Sequence, residues 1–570
     1  MSTVSKKIIE YLLKHPPQTN DDISMAERLI LRTIKTDKIP TKADLLKAYH
    51  KLLKYGKIKQ SKNLETILIK RGVRTLSGVA IVTVLTKPFP CPGKCIYCPD
   101  EARMPKSYIS DEPAAARALK LKFDPYEQVY RRIATLKANG HPTDKIELIV
   151  KGGTWNFYPV DYQYWFILRC FEAANKQIKK LKIKNQNYHS KLKIEKIKNQ
   201  LKLKQRKNET AKHRIIGLTL ETRPDWVNTK NVQVMRDLGC TRIEMGVQTT
   251  DDKILKNIQR GHNIETVKIA TEILKNYGFK VDYHLMPQLP GSTPAKDLAM
   301  MKEIFSNPDF RPDMIKIYPC TVIENTKLHQ WLKQKKYKPY SDKQLIETII
   351  KFKTAIPYYA RVSRLIRDIP AHHIKGGNTM TNLRQVIQSE MTKRGLKCNC
   401  LRCREVGHQK NLKLKNQKLK MFVDKYTASN GTEYFLSFCA PGASASGGED
   451  TNRQVVYAFC RLRICHCEQN EMKRSNLHDI RLPRRSAPRN DNYDAFIREL
   501  HTYGQMVSIG KKTKDTQHTG LGGKLMQEAE KICRKNKIAT LAVISGVGVR
   551  GYYRKLGYNL KNGYMMRAIK

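Results

Sequence analysis

Two periodicities divide the chain. In residues 1–70 apolar positions recur at helical spacing: Ile8, Ile9, Leu12 and Leu13, then Leu45, Leu46, Tyr49, Leu52 and Leu53. Residues three and four apart share one face of an α-helix, so these sets predict helices with one buried stripe. Lysines occupy the other faces. From residue 79 the pattern changes to short apolar runs: 79–85, 145–150, 215–220, 242–247, 280–286 and 314–318. Runs of this length read as strands. Helix-spaced segments lie between them, for example 129–138 and 264–277. Repeated strand–helix units predict a parallel sheet with its functional groups at the strands' C-terminal ends. The strands run into such groups: a cysteine loop, Gly152-Gly153, Glu221-Thr-Arg-Pro-Asp225, Gln248, Pro287 and Pro319.

Two stretches break the pattern. Residues 176–214 carry 15 Lys/Arg against 2 Asp/Glu and read as an inserted loop, either solvated or touching RNA. Residues 465–493 are basic and poor in apolar residues, and read as a second inserted surface loop. Its Cys465-His-Cys467 offers too few ligands to argue for a metal. The last part of the chain, 418–570, has strand-like runs at 434–438, 455–463 and 540–544 and an apolar helix over 525–532.

Charge changes the picture. The 570 residues carry 107 Lys+Arg and 51 Asp+Glu, a net +56. Such an excess points to a polyanionic partner, and nucleic acid fits best. Residues 1–75 hold 17 basic against 7 acidic residues, so the N-terminal helices are the expected RNA contact. No run of about 18 apolar residues predicts a membrane span. The first residues lack the apolar core of a secretory leader, and clustered cysteines suit a reducing compartment, so the cytoplasm is the expected location.

The cysteines carry the chemistry. Cys91-Pro-Gly-Lys-Cys95-Ile-Tyr-Cys98 has C-x3-C-x2-C spacing. Three thiolates can hold a [4Fe–4S] cluster and leave its fourth iron open. A structural zinc loop is the alternative, but zinc wants four ligands and no further Cys or His lies close by. Cys398-Asn-Cys400-Leu-Arg-Cys403 supplies three more thiolates and reads as a zinc knuckle, with His408 or Cys320 as possible fourth ligand. Gln517-His518-Thr519-Gly520-Leu521-Gly522-Gly523 precedes the apolar helix. Glycines there let backbone N–H groups approach a diphosphate at the helix N-terminus.

The 91–98 loop resembles that of the radical S-adenosylmethionine (SAM) enzymes, and Gln-x-x-Gly-x-Gly the pyrophosphate loop of GNAT acetyltransferases. Tyr552-Tyr553-Arg-Lys-Leu-Gly-Tyr558 is similar to the GNAT turn beside the acyl thioester. Together with Ser77-Gly-Val-Ala, Thr86-Lys87-Pro88, Gly246-Val-Gln248-Thr, Arg367-Asp-Ile-Pro, Cys403-Arg-Glu-Val-Gly, Arg498-Glu-Leu-His and Ser545-Gly-Val-Gly-Val-Arg, these strings resemble the Elongator catalytic subunit family, including its stand-alone archaeal and bacterial members. The likeness spans nearly the whole chain.

It implies an α/β fold: a basic helical tRNA-binding region (1–70), a partial parallel radical-SAM barrel (71–395), a zinc-knuckle linker (396–417) and a GNAT domain (418–570). It also implies an activity. The SAM-derived 5′-deoxyadenosyl radical would take hydrogen from the methyl of acetyl-CoA, and the carbon radical would add to tRNA uridine 34. Thioester hydrolysis would then leave 5-carboxymethyluridine. Cys91, Cys95 and Cys98 would ligate the cluster. Gly152 and Gly153 would contact SAM through the backbone, and Glu221, Arg223, Glu244 and Gln248 would line the SAM or substrate pocket. Lys87 would touch SAM or RNA. Residues Gln517 to Gly523 would hold the acetyl-CoA pyrophosphate, and Tyr552 and Tyr553 the thioester end. A reductant protein is required, and Elongator-like accessory subunits are open. Where relatives have Met-Gly-Gly-Thr, this chain has Lys151-Gly-Gly-Thr154, a cation able to meet a carboxylate.

Three rival activities differ in what they need. A GNAT-only lysine acetyltransferase would survive loss of Cys91. A radical-SAM methylthiotransferase would need a second cluster, for which no cysteine set precedes residue 91. A non-catalytic tRNA binder would need none of these motifs intact.

Overall fold

The computed structural model describes residues 3–69, 75, 77–176, 191–408, 419–441, 453–465, 494–503 and 520–569. The N-terminal part is four helices, Thr3–Lys14, Asn20–Ile34, Lys42–Lys54 and Lys62–Leu68. Ile8, Ile9, Leu12, Leu45, Leu46, Tyr49 and Leu52 form their common core, as the spacing requires. Thr19 and Thr41 each cap a helix through reciprocal bonds with Asp22 and Asp44, satisfying N–H groups that the first turn leaves unpaired.

A parallel half-barrel follows. Its strands are β1 (Ala80–Leu85), β2 (Lys145–Lys151), β3 (Arg214–Thr222), β4 (Arg242–Gln248), β5 (Lys280–Leu285), β6 (Met314–Ile317) and β8 (Arg361–Arg364). They lie side by side in that order, every neighbouring pair parallel. Between β6 and β8 lies β7 (Val322–Ile323), which pairs antiparallel with β9 (Ile374–Gly376). β4 is buried along its whole length, including its alternating polar residues Arg242, Glu244 and Gln248.

The expectation of a loop over 176–214 is corrected for much of its length. Lys191–Asn208 is an 18-residue helix that supplies Ile197 and Leu201 to the half-barrel's core. Asn208 donates to Asn175 at 2.7 Å and accepts from the Ile215 N–H at 2.7 Å, joining this helix to its neighbour and to β3.

The second sheet contains β10 (Lys420–Ala428), β11 (Gly431–Ala440), β12 (Val455–Cys465), β13 (Ala495–Thr502), β14 (Thr540–Val543), β15 (Asn559–Lys561) and β16 (Tyr564–Ala568). The order is β10-β11-β12-β13-β14-β16-β15, and only β13–β14 is parallel. The helix Leu521–Lys535 connects that pair. β13 runs on to Thr502 after its pairing with β14 ends at Ile497, so the two strands part at their C-terminal ends. Nearly all of the proposed second insertion lies outside the described residues.

The two sheets are bonded into one body. Arg498 on β13 places Nη1 2.8 Å from Asp313, immediately before β6, and both are fully buried. Arg461 and Lys275 surround the same carboxylate, which they hold below its usual range although burial opposes the charge. At Gly546 a Cβ would lie 1.8 Å from the Ile216 carbonyl oxygen, so backbone packs directly on β3. The cysteine segment joins both sheets: Glu405 meets Arg361 of β8 at 2.7 Å and bridges to Val456 of β12. Among the described residues, no helix is long and apolar enough to cross a membrane.

Candidate active site

The loop after β1 crosses the C-terminal end of the half-barrel. It is fixed by Ile96 N–H donating to the Ile258 carbonyl (3.2 Å) and by Leu328 N–H donating to the Ile96 carbonyl (3.0 Å). Cys95, Ile96 and Tyr97 pack on Ile254, Leu255, Ile258 and Leu289. Arg260 Nη1 lies 3.4 Å from Cys95 Sγ. Burial alone would raise the Cys95 thiol, but Arg260 and then Arg223 outweigh it and hold it below the ordinary thiol value. Three cysteines with guanidinium groups beside them suit an anionic iron–sulfur cluster.

Beside this loop, Gly152 and Gly153 end β2 with φ of 132° and 85°. A Cβ on Gly152 would lie 1.8 Å from Thr86 Oγ1, so only glycine fits. Tyr158 Oη sits 2.8 Å from Thr86 Oγ1, 3.0 Å from the Gly152 carbonyl and 2.9 Å from the Lys87 carbonyl, tying the two strand ends together. Among the described residues, Gln248 Oε1 and Arg223 Nη1 are buried without a hydrogen-bond partner, as are Arg260 Nε and Thr222 Oγ1. Burying such atoms costs free energy unless a ligand satisfies them, so the residues fit a polar ligand such as SAM.

The strand ends also hold a buried ionic network. Lys151 Nζ contacts Glu221 (2.9 Å) and, closer still, Glu244. Glu244 also meets Lys316, and His284 Nε2 at 3.2 Å. Burial opposes each of these charges, yet the carboxylates hold Lys151 above the ordinary lysine value, and the lysines hold Glu244 well below the carboxylate range. Burial pushes Lys316 down to about 8. Glu221 and Arg223 do not pair with each other. Arg223 instead grips Asp225, with Nε 2.9 Å from Oδ1 and Nη2 3.0 Å from Oδ2.

A cavity of about 800 Å³ opens between the two sheets. Glu221, Glu244, Gln248 and Lys316 line it from the half-barrel, and His501 and Tyr553 from the second sheet. Tyr553 is buried, and Tyr552 stands edge-on to it with ring centres 5.2 Å apart. On the other side of Tyr552 lies the start of the helix Leu521–Lys535. A Cβ on Gly522 would be 3.0 Å from Tyr552 Oη, and Gly520 takes a left-handed φ of 78° with no side-chain cap. Among the described residues no side chain caps the helix's first N–H groups, the arrangement that accepts a phosphate.

The second thiol group is compact. The Sγ atoms of Cys398, Cys400 and Cys403 lie within 4.8 Å of one another. Neither His408, which meets Glu405 at 2.7 Å, nor Cys320, which packs beneath the 91–98 loop, belongs to that group. Lys353 Nζ is the close neighbour instead, 3.3 Å from Cys398 Sγ and 3.7 Å from Cys403 Sγ.

Of the residues singled out in the sequence, Glu221, Glu244, Gln248 and Tyr553 meet in one cavity; Arg223 does not line it and lies against Gly93 of the cysteine loop, and Gly152 lies against Thr86. Lys87 is exposed, with its ammonium over the Tyr162 ring at 5.1 Å, and does not line the cavity. Gln517, His518 and Thr519 lie outside the described residues. Sequence reasoning missed Arg260, Lys316, His284 and Tyr158. For Lys316 a signal exists: a lysine inside the fully buried run 314–317 demands a carboxylate partner.

A parallel half-barrel with a three-cysteine loop at its strand ends defines a radical-SAM protein, and the sequence agrees. Residues 90–304 match the Radical SAM superfamily and residues 312–393 the Radical_SAM C-terminal domain. A tRNA uridine(34) acetyltransferase of Methanocaldococcus infernus is 43% identical, covering 91% of both chains. One of Dehalococcoides mccartyi is 41% identical over 88% of this chain and 100% of its own. Human Elongator complex protein 3 is 34% identical over 88% of this chain and 86% of its own. The solved structure of N-terminally deleted archaeal Methanocaldococcus infernus Elp3 superposes with a TM-score of 0.68 at 39% identity, covering 87% of this chain and all of that one. The chain belongs to the family of tRNA uridine(34) acetyltransferases and Elongator catalytic subunits. Radical-SAM membership implies a [4Fe–4S] cluster and SAM, and the cysteine triad Cys91, Cys95 and Cys98 is present in the matched region.

Proposed function

We propose that this protein converts uridine 34 of tRNA to 5-carboxymethyluridine, with acetyl-CoA as the carbon source. The observation that carries this reading is the shared cavity: the strand-end groups of the half-barrel and Tyr553 of the second sheet face the same space. A cluster with bound SAM supplies a 5′-deoxyadenosyl radical. Arg260 stabilises the Cys95 thiolate, while Gln248 and Arg223 offer their unpartnered atoms to SAM. Gly520 to Gly523 and the preceding Gln517 to Thr519 cradle the pyrophosphate of acetyl-CoA. Tyr552 and Tyr553 then direct its acetyl end into the cavity. Cys398, Cys400 and Cys403 hold zinc and brace the joint between radical-SAM and acetyltransferase parts. The basic N-terminal helices and exposed Lys87 bind tRNA. The names of the relatives support the substrate.

The test uses anaerobically purified, cluster-reconstituted protein with unmodified tRNA, SAM, a reductant and acetyl-CoA, followed by nucleoside mass spectrometry. The reading expects 5-carboxymethyluridine, and none from Cys95→Ala. Lysine acetylation that persists in Cys95→Ala, with no modified uridine from either protein, would favour the acetyltransferase-only alternative.

A further inference from the structure

β1 and β8 are the two edges of the half-barrel sheet, so its far side is open. The segments that follow these strands meet across the gap. Arg367, after β8, reaches back to Ser107 Oγ (3.0 Å) and Glu112 (2.6 Å) on the segment after the cysteine loop. Ile109, Ile323 and Ile369 bury against one another beneath this contact, with Ile374 packed on them. Outside that apolar patch stand Asp111, His372 and His373. His373 Nε2 lies 2.9 Å and His372 Nε2 3.2 Å from the same Asp111 Oδ2, and the imidazole centres are 4.1 Å apart.

We propose that Asp111, His372 and His373 form a binding site for a borderline divalent transition-metal ion such as Zn2+, which clasps the two edges of the half-barrel. Two imidazoles and a carboxylate are a zinc-type donor set, whereas Mg2+ and Ca2+ want oxygen alone. Tetrahedral zinc with bonds of about 2.0–2.1 Å sets its ligand atoms roughly 3.4 Å apart. The two N···O distances to Asp111, 3.2 and 2.9 Å, fall short of that by at most about half an ångström, so an ion can enter with small side-chain shifts. Solvent completes the coordination, since Asp111 and His372 are exposed. The frame exists without the ion: the Arg367 contacts fix one segment to the other, and pairing of β9 with β7 fixes the backbone after His373. The site is separate from both cysteine groups, and its neighbours Glu112 and Ile374 line the cavity, so the clasp sits at the cavity's rim.

The experiment titrates Zn2+ into full-length protein by calorimetry, anaerobically, after the cluster has been reconstituted and the cysteine knuckle saturated. Wild type should take up one further equivalent with a rise in melting temperature, and millimolar Mg2+ should not compete. Asp111→Asn, which preserves shape, and the double variant His372→Gln/His373→Gln should lose that equivalent and the rise. Equal uptake by wild type and both variants, or displacement by Mg2+, would overturn the proposal. If the double variant does not fold, Asp111→Asn decides.

Discussion

Replacing Lys151 by methionine, an uncharged side chain of similar length, tests the buried network. Lys151 Nζ is 2.9 Å from Glu221 and contacts Glu244, and all three side chains are largely buried. At 2.9 Å and an effective dielectric of about 20, one such attraction amounts to about 6 kcal/mol. Desolvation cancels several kcal/mol of it, and removing one partner of a buried pair typically costs about 3–5 kcal/mol. Glu244 keeps Lys316 and His284, so about 3 kcal/mol at neutral pH is expected. The pH dependence is diagnostic. In the wild type burial raises Glu221, but Lys151, His284 and Lys316 together outweigh it and leave the pKa below the ordinary 4.5. The stability from this shift is therefore present above pH 4.5 and is lost as pH falls. Without Lys151, the largest of these attractions, burial weighs more and Glu221 takes up its proton at higher pH than in the wild type. Protonation then relieves the variant as pH falls. The stability difference, read from thermal or urea unfolding at matched cluster content, should shrink from pH about 7.5 to about 5. A difference that is the same at both pH values would refute the ionised network.

Further outcomes follow from other buried groups. Burial pushes Lys275 down to about 7, so between about 7 and 10.5 the unfolded chain binds a proton that the folded one lacks, and this residue makes stability rise with pH. Lys275→Met should flatten that rise by up to about 1.4 kcal/mol per pH unit in unfolding titrations. Asp313→Ala leaves Arg498, Arg461 and Lys275 without their shared carboxylate, and should lower the thermal midpoint by several degrees through a loss of about 3–5 kcal/mol. Gly522→Val places branched bulk against Tyr552 Oη, and should raise KM for acetyl-CoA about tenfold or more, at about 1.4 kcal/mol per tenfold, while the melting temperature stays near wild type.

The half-barrel was legible because six of its seven strands carry an apolar residue at every second position or more often, between helix-spaced segments. β8, Arg-Val-Ser-Arg, does not: its charged ends are neutralised by Glu405 and Asp368, partners that only the folded chain supplies. The helix Lys191–Asn208 hid for a related reason. It buries little beyond Ile197, Leu201, Gln205 and Asn208, so lysines swamp its periodicity. At the site, spacing singled out the cysteines and glycines as candidates, because local chain geometry limits what a loop can hold. It could not identify Arg260, Lys353 or the pairing of Lys151, which depend on contacts between distant segments. It also proposed two fourth ligands for the knuckle, His408 and Cys320, that folding directs elsewhere.

The central claim is that the radical and the acetyl group meet in one cavity. It is tested most directly by supplying acetyl-CoA with a fully deuterated methyl group to the reconstituted protein with SAM, reductant and tRNA. The account predicts deuterium in the 5′-deoxyadenosine produced, and deuterium retained in the carboxymethyl group of the modified uridine. Unlabelled 5′-deoxyadenosine accompanying labelled product, or 5′-deoxyadenosine whose labelling ignores Gly522→Val, would contradict it.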